Sequence, residues 1–163
     1  MTDLNKKLEE LGVGKNVRDM LNSGRSRKDC DEEYVINLCD EALGLTASRQ
    51  HCFDFLKGDT GRMLPVDAYY DELKLVVEYN ERQHTEAVPL FDNKPTVSGV
   101  PRGEQRRIYD ERRRTVLPQH GISLVIISYS DFGTSKKLLR NHDKDLEVVK
   151  EKLNNRMQKL ADE

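Results

Sequence analysis

The clearest hydrophobic pattern in the chain is an alternation. In residues 73–80, LKLVVEYN, positions 73, 75, 77 and 79 are apolar or aromatic, while Lys74, Glu78 and Asn80 fall on the other face. A period of two predicts a strand with one side in a core. The segment before it, MLPVDAYY at 63–70, reads as its partner in a hairpin turning at Asp71-Glu72. Further upstream, HCFDFLKGDTG alternates Phe53 and Phe55 and ends in turn residues, which predicts another strand.

Helical patterns surround these strands. DEEYVINLCDEALG, residues 31–44, has an apolar stripe of Tyr34, Val35, Leu38, Ala42 and Leu43, with acids in its first turn and a terminal Gly44. Asp31 or a neighbour caps it. RGEQRRIYDERRRTVL, residues 102–117, is helical until Pro118-Gln119-His120-Gly121 breaks it, and ISLVIISYS follows as a buried strand. KDLEVVKEKLNNRMQKL places Leu146, Val149, Leu153, Met157 and Leu160 on one stripe and closes the domain. Residues 1–29 form a separate helical arm, with Leu4, Leu8 and Leu11 at helical spacing before Gly12-Val13-Gly14 and a basic turn at its end. The expected architecture is therefore α/β: an arm over 1–29 and a core domain over 30–163, built as a mixed β-sheet flanked by helices.

Composition refines the class. With 163 residues, 36% of them hydrophobic and 34% charged, the chain is the size of one charged, soluble domain. The formal charge of −2 conceals segregation, because residues 102–114 hold six arginines against three acids. A nucleic-acid partner is thus compatible with the totals. Three cysteines without metal-ligand spacing (Cys30, Cys39, Cys52) read as reduced packing residues in a cytoplasmic protein, and no apolar run suits a membrane. No oligomer interface is legible, and a homodimer is compatible with the sequence.

The hairpin also carries chemistry. With a two-residue turn, Tyr70 pairs with Leu73, Asp67 lies opposite Val76, and Glu78 sits diagonally across on the same face as Asp67. Two carboxylates at such a distance repel unless a cation joins them, and Mg²⁺, with Mn²⁺ as a substitute, takes one or two carboxylates together with water and phosphate oxygens. His84 follows shortly after, and an imidazole beside carboxylates is suited to general acid/base work. The histidines His51, His120 and His142 read as structural.

An acid on one strand of a hairpin, a second acid at the end of an apolar strand and a helix carrying a glutamate resemble the PD-(D/E)XK nuclease superfamily. The matching residues are Asp67 in LPVDAYY and Glu78 in VVEYN, and the likeness covers roughly residues 32–132. The chain is most similar to the branch of very-short-patch repair endonucleases and EDxHD nucleases. That branch implies Glu41 in CDEALG, Asp67, His84 in ERQH and Asp110 in RRIYDERRR. The implied protein is a Mg²⁺-dependent DNA endonuclease of the restriction-endonuclease-like fold, of restriction or repair type. Asp67 and Glu78 would hold the metal, His84 and Gln83 would manage the water, and Glu41 and Asp110 would support them. Where the superfamily motif has lysine, this chain has Asn80. Gln83 and His84 then take over, or Lys74 reaches in, or the protein is an inactive DNA-binding module of the same fold. On the arginine helix, residues 103, 107, 110 and 114 share a face, so Arg107 and Arg114 flank Asp110. Arg102, Arg106, Arg112 and Arg113 then face outward as phosphate contacts. The irregular stretch before this helix, with Phe91, Lys94 and Thr96, suits a substrate-facing loop.

Overall fold

A computed structural model of the chain describes residues 30–81, 96–135 and 137–162. The arm over 1–29, Gln83, His84 and the loop positions Phe91 and Lys94 lie outside the described residues. In chain order the elements are α1 (Asp31–Leu43), β1 (Ser48–Lys57), β2 (Met63–Tyr70), β3 (Leu75–Asn80), α2 (Arg102–Gln119), β4 (Ser123–Ser128) and α3 (His142–Asp162). Single 3-10 turns follow β2 and β4. The sheet runs β1-β2-β3-β4, antiparallel across the first two contacts and parallel across the third. Among the described residues no helix is long and apolar enough to cross a membrane.

Two apolar clusters sandwich this sheet. Leu75, Val77 and Tyr79 of β3, with Val125 and Ile127 of β4, meet Val35, Ile36 and Cys39 of α1 and Val149 and Leu153 of α3. On the opposite face Val76, Val66, Leu64 and Leu56 meet Leu117 of α2. The alternation along β3 therefore puts its odd residues under α1 and α3 and its even ones under α2.

The helix ends follow local chemistry. Cys30 caps α1, its Sγ accepting from the Glu33 backbone N–H at 3.4 Å. Cys30 thus has a capping role, and Cys52, expected in packing, is exposed. Gly44 ends α1 at φ 65, a left-handed conformation that costs little only for glycine. Gly44→Ala is expected to destabilise the domain by about 1 kcal/mol in chemical denaturation. At the end of α2, Pro118 lies inside the last turn, and the helix stops two residues later than expected. Past it the chain reverses, with the His120 and Gly121 N–H groups bonding to the carbonyls of Leu117 and Pro118.

The hairpin turn is longer than the expected Asp71-Glu72. Residues 71–73 make a 3-10 turn and Lys74 closes it in the left-handed region at φ 47. Pairing is consequently Tyr70↔Leu75, Tyr69↔Val76 and Ala68↔Val77. Relative to the expected register β3 is displaced by two positions, which preserves the faces because the side-chain period is also two.

A candidate carboxylate site where two strands part

The corrected register puts Asp67 and Glu78 directly opposite one another, closer than the expected diagonal. Regular pairing between β2 and β3 stops at Ala68↔Val77, and the two carboxylates replace the next rungs. The Asp67 backbone N–H donates to Glu78 Oε1 at 3.2 Å, while the Tyr79 backbone N–H donates to Asp67 Oδ2 at 2.8 Å. Each strand's backbone donor is thus satisfied by the other strand's acid.

A kink in the sheet opens this gap. Between Arg49↔Ala68 and His51↔Val66 the β1–β2 register sets Gln50 against Asp67. Gln50 has φ 48, and on either side of it the faces switch. Arg49 bonds to Asp40 of α1, whereas His51 packs edge-on to Phe53 and tilted against Tyr69 on the α2 side. Likewise Ala68 packs under α1 and α3 while Val66 packs under α2. Asp67 sits at the reversal, where the strand cannot continue its ladder.

Glu78 is partly buried, its side chain 12% exposed. Burial first, and then the charge of Asp67, push its pKa from 4.5 up to about 8, against the opposing pull of Arg113 and of the Asp67 N–H. The folded pKa lies above the unfolded one, so folding takes up a proton between them and stability falls as pH rises from 4.5 to about 8. Glu78→Gln, which does not titrate, should therefore gain stability relative to the wild type between pH 5 and pH 8. Melting temperatures of both proteins across that range check this, and a constant difference would contradict it.

Helix α1 contributes Glu32, not the expected Glu41. Gln50, set against Asp67 across the β1–β2 pairing, donates from Nε2 to Glu32 Oε1 at 2.9 Å, and burial first and then the charge of Asp67 raise the Glu32 pKa. Glu41 is turned to α3, where it bonds to His142 Nε2 at 2.8 Å. Arg49 is anchored by Asp40, at 2.7 Å, and by Glu33.

Helix α2 contributes Asp110 and Arg113, paired at 3.1 Å. Arg113 was expected to face outward. Instead it turns onto the sheet, 15% exposed, with Nε 3.6 Å from Glu78 Oε1 and Nη2 donating to the Pro65 carbonyl at 3.0 Å. That Nε is buried and has no hydrogen-bond partner. Arg112 was also expected outward but anchors α2 to the β1–β2 turn, bonding to the Lys57 carbonyl at 2.7 Å and to Asp59 at 3.1 Å. Arg107 and Arg114 pair with Glu104 and Glu111 and line the same groove as Asp110. Arg102 is exposed at the start of α2, and Arg106 is half-buried. Lys74 pairs with Asp71 in the hairpin turn, at the opposite end of β3 from Glu78.

From Asn80, on the same face as Glu78, a groove of about 550 Å³ runs along α2 past Arg107, Asp110 and Arg114. The other histidines are placed structurally: His120 stacks on Phe55 at 3.7 Å, and His51 bonds to Ser48 at 3.0 Å. Among the described residues no three His, Cys, Asp or Glu side chains are grouped so as to hold an ion by themselves. Two hard carboxylates are the kind of donor that Mg²⁺ takes, completing its shell with water and phosphate oxygens. Comparison with protein-family models, curated proteins and solved structures returned no match.

Proposed function

We propose that the chain is a Mg²⁺-dependent DNA endonuclease with a restriction-endonuclease-like fold, resembling the PD-(D/E)XK superfamily. One observation carries this reading: Asp67 and Glu78 face each other at the point where β2 and β3 separate, each accepting a backbone N–H from the other's strand. The sequence of one helix, three strands, a helix and a strand, with the last strand parallel to its neighbour, supports it.

Asp67 and Glu78 would hold the metal, which would supply Lewis-acid polarisation of a phosphate and a lowered water pKa. The Tyr79 N–H fixes Asp67, and the Asp67 N–H fixes Glu78, so both acids are oriented before substrate arrives. Glu32 is the helix glutamate of the site in place of Glu41. Asp110 acts by holding Arg113 against Glu78. His84 serves as general acid or base with Gln83 beside it, three residues past Glu81. Arg102 and Arg106 contact phosphates, and Arg107 and Arg114 line the groove that receives the strand.

Incubation with supercoiled plasmid tests the proposal. Nicking that requires magnesium or manganese and stops with a chelator is expected. Asn80, in place of a lysine, favours a second reading as a DNA-binding module without activity. In that case binding is salt-sensitive, indifferent to magnesium and without cleavage.

A further inference from the structure

The carboxylates of the site continue beyond the proposed metal pair. Glu78 accepts from the Asp67 backbone N–H on one side and pairs with Arg113 on the other, and Arg113 in turn pairs with Asp110. Such a row invites two ions roughly 3.5–4 Å apart sharing the middle carboxylate. The space between Glu78 and Asp110 is already filled, however, by the guanidinium of Arg113, which donates to Asp110 Oδ1 from Nη1 at 3.1 Å and brings Nε to 3.6 Å from Glu78 Oε1. A third anchor, the Pro65 carbonyl at 3.0 Å, ties the same group to β2. The pocket that Glu78, Asp110 and Arg113 share with Leu124 and Ile126 leaves about 10 Å³. That is about the room of one water, so the guanidinium stands where a second ion would sit. An arginine does not lose its proton to make way, and its planar fork suits a fixed position between two carboxylates.

We propose that Arg113 is the second positive charge of this site, standing between Glu78 and Asp110 so that the carboxylates take one divalent cation, held by Asp67 and Glu78, and not a pair. This rests on the nuclease reading above and makes Arg113 a positioning residue. It joins β2, β3 and α2 at the point where the strands part, and it supplies a fixed charge without any exchangeable ion.

Calorimetric titration of Mn²⁺ into the full chain tests the assignment by stoichiometry. The wild type should bind a single ion per chain. Asp110→Asn should still bind one, because Asp110 serves Arg113 and not the ion. Arg113→Ala, shown to be folded by circular dichroism, should admit a second, weaker ion between Glu78 and Asp110. Two ions on the wild type, loss of the ion in Asp110→Asn, or a single ion on folded Arg113→Ala would each overturn the assignment. If Arg113→Ala does not fold, the wild type and Asp110→Asn decide the matter. Absence of any ion on the wild type would overturn the metal site of the nuclease reading, and this assignment with it, whereas two ions would overturn this assignment alone.

Discussion

Asp67→Asn is expected to slow magnesium-dependent nicking of plasmid DNA by about a thousandfold while the fold is kept. The amide retains an oxygen that can accept from the Tyr79 N–H, so the local backbone stays satisfied. What it loses is the negative charge opposite Glu78. A metal contributes several kcal/mol of transition-state stabilisation, and each 1.36 kcal/mol is about tenfold in rate. Loss of one of two carboxylate ligands accounts for roughly three such factors. Unchanged circular dichroism with nicking near the wild-type rate would remove Asp67 from the site.

Asp40→Ala should have the largest effect on stability, about 3–5 kcal/mol by urea denaturation. Its carboxylate joins α1 to the start of the sheet: Oδ1 accepts from Tyr70 Oη at 2.7 Å and from the Ala47 N–H at 3.1 Å, and Oδ2 pairs with Arg49 at 2.7 Å. Tyr70 is fully buried, so alanine would leave its hydroxyl without this acceptor and the partly buried Arg49 without its closest counter-ion. Asp40→Asn should recover part of the loss, because an amide oxygen can still accept from Tyr70. A loss below about 1 kcal/mol in the alanine variant would show that these bonds reorganise to water.

The faces of β3 were legible in the sequence because they depend only on a period of two. A difference of two positions in the hairpin register moved Asp67 from a diagonal to a direct neighbour of Glu78 and left Glu78 on the same face of β3. Helix phase was harder to read. In α1 the acids at 31–33 read as partners of the helix dipole, and only the packing of α1 against the sheet shows Glu32 bonded to Gln50, the residue set against Asp67. Glu41 sits near the C-terminal end of the same helix and meets α3.

In α2 the phase had little apolar signal to define it. Leu117 is its one buried residue, with Tyr109 and Val116 partly buried against the same cluster. The side facing the sheet is completed by Arg113, a charged residue that pattern reading assigns to solvent. It can be buried there because Glu78, Asp110 and the Pro65 carbonyl await it. The kink at Gln50 and Asp67 had no sequence signal, since neither residue is a glycine or proline; it becomes visible only when the two strands are paired.

The account depends on where a cation binds. Addition of substoichiometric Mn²⁺ to the isotope-labelled chain, followed by amide NMR, locates it directly. Selective broadening of Asp67, Ala68, Glu78 and Tyr79 ahead of all other amides is predicted. Broadening centred on other acids, such as Asp71 and Glu72 of the hairpin turn, or spread evenly along the chain, would contradict the site.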